Sequence, residues 1–421
     1  MNRILTILLP PLLTLALILS GCAQKDSAVG SDLAPGLNDI YPQDTTLYPV
    51  AANFYQTQAT TGSSPFLYLG HDQGYDADIL LKFNPATALP DSYLVDSLVV
   101  KLYLDSIITA ESASLPVSVL LLNRNYTWYE IGVTWNNLLA NPVYRYLPLD
   151  TAQFGDPIAA FDVSSAAADS DSITFTLPSP DSLLRAWEWV GTTGSKTLHY
   201  NNGLYLLSDK SQNFLMRFKS AENTNVARRP KLLMYLSVVD TSDTTGALPQ
   251  DTVLFIYAGA DDFIAQSTTT LDSSYLYLGN AAACRSLLLF DVEDLFPTYG
   301  VAVQRAEVVL HADTTNALNY GQIASAFFLE MQDSTWLDHP DSALTEPGLA
   351  YPVVFNADAG TLTLNLTDAV YNWIRNPGTN QGMMIKSSAE YYDLSRTVFY
   401  GPSAPDSLRP YLRIVYLEGP Q

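Results

Sequence analysis

The two halves of this 421-residue chain repeat the same short segments in the same order. The matching pairs are 67–70 with 276–279, 80–83 with 287–290, 95–105 with 303–313, 127–128 with 335–336, 201–204 with 380–383, and 229–232 with 409–412. Six pairs in one order indicate a duplicated module, each copy having roughly 170–190 residues, the size of an ordinary domain. The sequence therefore predicts a first domain at 47–239, a linker at 240–251 and a second, divergent domain at 252–421.

Within each copy, side chains predicted to face inward alternate with side chains predicted to face outward, as in half-buried β-strands. In the segment 97–105 the apolar residues at 98, 100, 102 and 104 are predicted to face inward, against Val99, Lys101 and Tyr103 facing outward, and residues 361–366 follow the same period of two. Short helices are predicted at 181–187 and 367–373, where apolar side chains recur at helical spacing. Many short strands separated by turn residues predict an all-β fold of two tandem antiparallel jelly-roll-like β-sandwiches, each with a short helix.

The tryptophans divide into two groups. Those at positions 128, 187, 336 and 373 recur in both copies, and large aromatic side chains at repeated positions indicate a core. Trp135 and Trp189 have no tryptophan counterpart in the second copy, so either could form a sugar-binding platform, although burial is favoured for Trp135. Tyr391 and Tyr392 lie in loop-like sequence and are less specific candidates for a sugar-binding platform.

The N-terminus has a different pattern. Arg3 supplies a positive charge, residues 4–19 are almost wholly apolar, and the run ends at Leu19-Ser20-Gly21-Cys22. Small residues before a cysteine form a lipobox, so we expect residues 1–21 to be a cleaved signal peptide and Cys22 to carry lipid. Pro10 and Pro11 interrupt the apolar run, which argues against an uncleaved membrane helix.

The segment that follows predicts how the lipid would hold the protein. Residues 22–46 are polar and contain Gly and Pro without a sustained period, which is typical of a flexible tether. The chain would then be anchored by lipid in the cell envelope, with the outer membrane or cell surface as its expected location. If Cys22 carries lipid, Cys284 has no partner for an intrachain disulfide and is expected to be a buried thiol.

The charge of the chain restricts its partners. Without residues 1–21, which contain Arg3 and no acid, 20 basic side chains face 43 acidic ones, giving a formal charge of −23. A surface this acidic repels nucleic acid, so no nucleic-acid partner is expected. The acids are mostly aspartates scattered among Ser and Thr, as in solvated turns.

Residues 128–137 provide the clearest local resemblance to a known family. This segment, Trp-Tyr-Glu-Ile-Gly-Val-Thr-Trp-Asn-Asn, together with the Asn-x-Gly-Leu turn and the Arg-Pro-x-Leu segment before the last strand, resembles the DNRLRE (disaggregatase-related repeat) family. Alginate-binding carbohydrate modules are related to that family. The resemblance covers residues 45–240 well and 250–417 more weakly, since the second copy keeps only Thr335-Trp336 of the segment. It implies a β-sandwich module of a kind that in some members binds acidic polysaccharide.

One region reverses the acidic balance of the chain. Between residues 196 and 231 there are seven basic side chains and two acidic ones. A face shared by these cations could bind anionic sugar, with a tyrosine stacking beside it; the candidates are Lys196, Lys210, Arg217, Lys219, Arg228, Lys231, Tyr200 and Tyr205. The alternative is that these charges are dispersed or mediate domain contacts, because residues of a strand alternate between faces.

Three aspartates close together in sequence form a candidate metal site. Asp72, Asp76 and Asp78 could give oxygen ligands to a structural calcium ion. Their spacing does not match an EF-hand loop, and solvated turn residues are the alternative. Calcium is the one cofactor that the sequence suggests.

Sequence patterns typical of an active site do not occur. The four histidines lack metal-ligand spacing, and neither a Gly-x-Ser-x-Gly elbow nor a phosphate-binding glycine loop is found. The expected function is a non-catalytic cell-surface lipoprotein that binds polysaccharide, which could be anionic, or another extracellular polymer. The alternatives are a structural or adhesive surface protein with a protein partner and, third, a polysaccharide-degrading enzyme.

Overall fold

The computed structural model describes residues 42–83, 88–122, 126–136, 138–140, 145–147, 154–166, 171–198, 202–238, 250–293, 301–315, 325–346, 351–356, 360–376 and 378–418. The predicted signal peptide, Cys22, most of the predicted tether, residues 240–249 of the predicted linker and Tyr200 lie outside these residues. Within them, no helix is long and apolar enough to cross a membrane.

The described chain is all-β with two short helices, as predicted. The strands as far as the predicted linker are β1 Pro42–Leu47, β2 Ala51–Gln56, β3 Phe66–Asp72, β4 Tyr75–Phe83, β5 Ala88–Leu89, β6 Tyr93–Ala110, β7 Ser114–Leu121, β8 Tyr126–Thr127, β9 Leu138–Ala140, β10 Arg145–Leu147, β11 Ala159–Ser164, β12 Ser172–Leu177, β13 Glu188–Val190, β14 Lys196–Leu198, β15 Leu204–Ser208, β16 Phe214–Lys219 and β17 Lys231–Val238. The remaining strands are β18 Gln250–Ser267, β19 Tyr275–Gly279, β20 Cys284–Leu289, β21 Val301–His311, β22 Ser325–Glu330, β23 Tyr351–Asn356, β24 Thr361–Asn365, β25 Met383–Ser387, β26 Arg396–Tyr400 and β27 Tyr411–Glu418. The helices are α1 Pro180–Trp187 and α2 Thr367–Arg375, and the 3-10 turns are Val226–Arg228, Thr335–Leu337 and Pro340–Ser342.

The local patterns of the sequence correspond to these elements. Along β6, Leu98, Val100 and Leu102 are buried while their neighbours are partly exposed, as the period of two predicts. Helices α1 and α2 lie where helical spacing predicted them, and each buries a tryptophan, Trp187 or Trp373.

The first copy is built around a closed ring of six antiparallel strands. The ring runs β4, β18, β17, β6, β16, β3 and back to β4. Strands β15, β7 and β11 extend it from β4, while β12 pairs with β6. Side chains from the ring and from α1 fill one core, which includes Phe83, Phe214, Phe218 and Trp187.

The second copy is built on a nine-stranded sheet. Its strand order is β1, β27, β21, β24, β23, β22, β25, β20 and β2, and a separate pair is formed by β19 and β26. Helix α2 packs against β21. A second core forms here and includes Phe290, Phe328, Val370 and Trp373.

The two copies exchange their first strands. Strands β1 and β2, which begin the first copy in sequence, pair with β27 and β20 of the second. Strand β18, which begins the second copy, pairs along its first part with β17 and along its second part with β4 of the first copy. The predicted tether therefore ends in a strand, and residues 250–251 of the predicted linker begin another.

The aromatic residues are placed largely as their repetition suggested. Trp128, Trp187, Trp336 and Trp373 are all buried. Trp135 is half-buried against the side chains around Trp128, whereas Trp189 is 39% exposed, and Tyr391 and Tyr392 are also exposed. The thiol of Cys284 is free and buried, and burial raises its pKa to about 12.

Candidate functional site

The basic side chains of residues 196–231 do not form one cationic surface. Two of them share one acid: Nη2 of Arg217 and Nζ of Lys219 lie 2.6 and 2.7 Å from Asp105. Burial alone would raise the pKa of Asp105, but hydrogen bonds from Lys219 and Arg217 outweigh it and hold that pKa below its ordinary value. Both cations are therefore engaged within the protein by one carboxylate, which balances one of their two charges.

The other candidate cations are also engaged within the chain. Nζ of Lys196 donates to the carbonyl oxygen of Asp91 at 2.6 Å, and Nη2 of Arg228 lies 3.2 Å from Asp171. Lys231 has its ammonium group 5.1 Å from the centre of the Tyr103 ring. The structure thus distributes these residues over separate partners rather than bringing them to one anionic-ligand site.

Lys210 and Tyr205 do come together, on a buried carboxylate. Nζ of Lys210 lies 2.6 Å from Oδ1 of Asp78, and the Tyr205 hydroxyl donates to Oδ2 of the same aspartate at 2.7 Å. The Asp78 carboxylate also accepts the backbone N–H of Ser208. Asp78 is fully buried, so the three partners satisfy a charge in the interior, and both predicted ligand residues serve the fold.

The two other predicted calcium ligands have partners of their own. The ring Nδ1 of His71 lies 2.6 Å from Oδ1 of Asp76, and the Thr109 hydroxyl donates to Oδ2 of Asp72. All three aspartates, Asp72, Asp76 and Asp78, are buried, so they are not solvated turn residues. The structure places them on strands β3 and β4 and does not bring them together as a ligand group.

A polar cleft lies where the two copies meet. It has a volume of about 470 Å³ and is lined by the segment after β2, the loop that follows Trp128, and the end of β18. The residues with polar side chains on its walls are Gln56, Thr57, Gln58, Thr134, Asn136, Gln266 and Ser267. Amides and hydroxyls both donate and accept hydrogen bonds, and the volume is within the range of ligand clefts.

Internal hydrogen bonds hold the walls of this cleft. The backbone N–H of Asn136 donates to Oε1 of Gln58 at 2.9 Å, which ties the loop to the N-terminal segment. Nε2 of Gln266 donates to Oδ2 of Asp76 at 3.2 Å. Asp76, a predicted calcium ligand, therefore positions a side chain of the cleft.

A second cleft, of about 660 Å³, lies beside α2 in the second copy. Its walls include Tyr351, which stacks on Phe328 with ring centres 5.3 Å apart, and the polar side chains of Gln304, Asn365 and Asp368. An aromatic face beside polar groups is an arrangement that suits a sugar ring.

Three carboxylates form a group at strand β18 and two loops, and among them Asp261 is fully buried while Glu130 and Glu222 are half-buried. Glu130, Glu222 and Asp261 each place a carboxylate oxygen within 4.8 Å of the others, the one such group among the described residues. Burial raises the pKa of all three, and the Glu222 carboxylate further raises the pKa of Asp261. Asp262, also fully buried, accepts a hydrogen bond from the Thr61 hydroxyl.

The sequence contained one signal for this group that sequence reasoning missed. Asp261 and Asp262 follow Ala258-Gly259-Ala260 and precede Phe263-Ile264, so two acids interrupt an otherwise apolar strand. Two charges in a strand that is buried need partners or a ligand. Glu130 and Glu222 lie in loops far away in sequence, and only the fold brings them to Asp261.

Comparisons with known proteins do not identify the chain. No protein-family model and no curated protein matches it. A solved structure of infectious bursal disease virus Gx strain aligns at 10% identity over 92% of this chain and 78% of that chain, with a TM-score of 0.11. The structure of the Macrobrachium rosenbergii nodavirus aligns at 10% identity over 90% and 96%, with a TM-score of 0.10. Alignments with such scores bear on neither fold nor function.

Proposed function

We propose that this chain is a non-catalytic, lipid-anchored cell-surface protein that binds a hydroxyl-rich polysaccharide in the polar cleft between its two copies. The cleft itself carries the proposal, because three separate segments of the chain converge there and each contributes amides or hydroxyls. Lipid on Cys22 would hold the body at the membrane. The resemblance of residues 128–137 to DNRLRE modules supports the same function, since Thr134 and Asn136 of that segment line the cleft.

The chemistry of the cleft favours a neutral sugar over a strongly acidic one. Side-chain amides can donate to and accept from sugar hydroxyls at the same time, whereas anions are bound best by Arg and Lys. The cations predicted to bind anions already have partners within the protein, and using Lys210 to bind a ligand would leave the buried Asp78 carboxylate without its cation. A neutral or weakly acidic polymer is therefore the preferred ligand class.

Retention on polysaccharide gels tests this function. A soluble form of the chain from Ala23 to Gln421 keeps strands β1 and β2, which the second copy needs. We expect retention on neutral glycans and weaker or no retention on alginate, pectin and sulfated glycans. Gln58→Ala and Gln266→Ala should each weaken binding about 5-fold, the value of one lost hydrogen bond.

The matched control for these variants is Tyr351→Ala, which alters the second cleft and leaves the first intact. Retention that depends on Tyr351 and not on Gln58 or Gln266 would move the binding site to the second copy and overturn the assignment. Absence of retention on every glycan would overturn the proposal as a whole.

A protein partner is the second candidate function, and one surface favours it. The outer face of β6, β17 and β18 exposes Leu94, Tyr235, Val253 and Phe255, each with at least 38% of its surface accessible. Tyr235 and Val253 are directly paired across the strands, so the patch is continuous. Exposed apolar patches mark interaction surfaces. Loss of cell adhesion or of a co-purifying protein in a Val253→Ser/Phe255→Ser variant, with glycan retention unchanged, would favour this role.

A further inference from the structure

We propose that Glu130, Glu222 and Asp261 bind a calcium ion at the junction of the two copies, a site distinct from the predicted one at Asp72, Asp76 and Asp78. One carboxylate oxygen of each residue lies within 4.8 Å of the others. Two oxygens that bind one calcium ion at about 2.3–2.6 Å lie at most about 5 Å apart, so a single ion can contact all three.

The environment of Asp261 gives the second observation. Its side chain is 1% exposed, and Oδ1 has no hydrogen-bond partner, although Oδ2 accepts the backbone N–H of Ala221 at 2.8 Å. Oε2 of Glu222 is likewise buried and without a partner. An unpaired buried carboxylate oxygen is costly, so a ligand at this point would stabilise the fold.

The remaining contacts hold the carboxylates in place and leave oxygens free for an ion. Oε1 of Glu130 accepts a hydrogen bond from the backbone N–H of Asp261 at 2.8 Å, which holds the Glu130 side chain against strand β18. In the described part of the chain, no Lys or Arg lies within ion-pair distance of the three acids. Arg229 is the cation that influences Glu222, but its Nε donates to the carbonyl oxygen of Asn223.

Calcium fits this donor set better than other metals do. Carboxylate oxygens without His or Cys suit hard cations, and calcium tolerates irregular geometry with backbone carbonyls and water completing its shell. The competing possibility is a proton shared between Glu222 and Asp261. A shared proton would satisfy the same oxygens without any ion, so the two possibilities predict different responses to calcium.

A calcium ion here would join parts of the chain that are far apart in sequence. Glu130 lies in the loop that continues to Thr134 and Asn136, Asp261 lies on the exchanged strand β18, and Glu222 lies in the turn after β16. The ion would hold this loop, which contributes Thr134 and Asn136 to the polar cleft, against strand β18. The site does not depend on the proposed sugar binding, because its stability effect is measured without any glycan.

Calorimetric titration of the EDTA-treated soluble chain, residues 23–421, with calcium chloride tests the site. We expect one ion per chain, bound with a dissociation constant of about 10⁻³ M or lower, as in extracellular modules. The melting temperature should be several degrees higher with calcium than with EDTA. Asp261→Asn and Glu130→Gln should each weaken calcium binding at least about 10-fold. Asp76→Asn, which alters the site predicted from sequence, is the control and should bind calcium as the wild type does.

Three results would overturn the proposal. They are a wild-type chain whose melting temperature and titration heat do not respond to calcium, binding that survives in both Asp261→Asn and Glu130→Gln, and binding that is lost in Asp76→Asn. If Asp261→Asn does not fold, Glu130→Gln decides alone, because Glu130 is only half-buried. None of these results depends on glycan retention, so the two proposals fail separately.

Discussion

The indole Nε1 of Trp128 donates a hydrogen bond to the carbonyl oxygen of Asn202 at 3.2 Å, and Trp336 makes the same bond to Gln381 in the second copy at 2.8 Å. The residue after each acceptor is a glycine with positive φ, +109° at Gly203 and +94° at Gly382. The repeated Thr-Trp pair and the repeated turn are therefore two sides of one contact, which explains why both recur together.

Alanine at Gly382 should destabilise the protein by about 1–3 kcal/mol. A Cβ there would lie 2.8 Å from the Trp336 ring and 2.9 Å from the Leu288 carbonyl oxygen, in a backbone conformation that L-residues rarely adopt. Gly360 is the matched control, because it also has positive φ but has open space around its Cβ position. Urea unfolding of Gly382→Ala and Gly360→Ala should therefore show the larger loss for Gly382→Ala, and equal losses would contradict the packing explanation.

Local periodicity made the strands and helices predictable, but it did not indicate which strands of one copy pair with strands of the other. The alternation at 98–104 and the apolar spacing around Trp187 are visible within a few residues of sequence. Strand β1, by contrast, is Pro-Gln-Asp-Thr-Thr-Leu, mostly exposed and without an apolar period, and its partner β27 lies at the other end of the chain. Nothing local in such a segment indicates which sheet it joins.

The candidate sites were predictable only in part, for a related reason. The cluster of basic residues at 196–231 is real in sequence, but its members lie on separate strands and turns. Several of them meet aspartates such as Asp78 and Asp105 from distant strands. The carboxylates of Glu130, Glu222 and Asp261 are brought together by tertiary structure alone. Two acids in an apolar strand were the only local sign of them.

Removal of residues 22–56 should unfold the second copy. Without β1 and β2, strands β27 and β20 lose a neighbour, and the apolar side chains of Leu47 and Ala52 no longer cover the second core. Asp44 on β1 also pairs with Arg413 on β27, with Oδ2 2.9 Å from Nε. Limited proteolysis of a chain that starts at Thr57 should cleave within 284–418.

A synthetic peptide of residues 42–56 added to that shortened chain should restore its resistance to protease. The control peptide has Ala52 and Phe54 changed to Asp, which keeps its length and removes its apolar contacts. A shortened chain as resistant as the full one would show that the exchanged strands are dispensable.

Lys210→Met should destabilise the fold by about 3–5 kcal/mol, because it leaves the buried Asp78 carboxylate without its cation. Lys219→Met is the matched control, since Arg217 still holds Asp105, and we expect it to cost about 1 kcal/mol or less. Denaturant unfolding of both variants measures the difference. If Lys210→Met were as stable as the wild type and lost only ligand binding, Lys210 would belong to a binding site instead.

The carboxylates beside β18 should make the metal-free protein less stable as the pH rises from about 4. The pKa of Asp261 is raised in the folded state, so its contribution to stability is fully present below the unfolded pKa and is lost as the pH rises through the folded pKa. Glu130, Glu222 and Asp262 have raised pKa values and act in the same direction, while the charge of Arg229 opposes the shift at Glu222.

Asp105 has a lowered pKa and acts in the opposite direction, losing its contribution as the pH falls below about 4. Thermal unfolding between pH 4 and 8 in EDTA should therefore give a melting temperature that falls towards pH 8. Asp261→Asn should flatten that slope, because the amide does not ionise. A slope that is the same in wild type and Asp261→Asn would mean that the pH dependence arises from other groups.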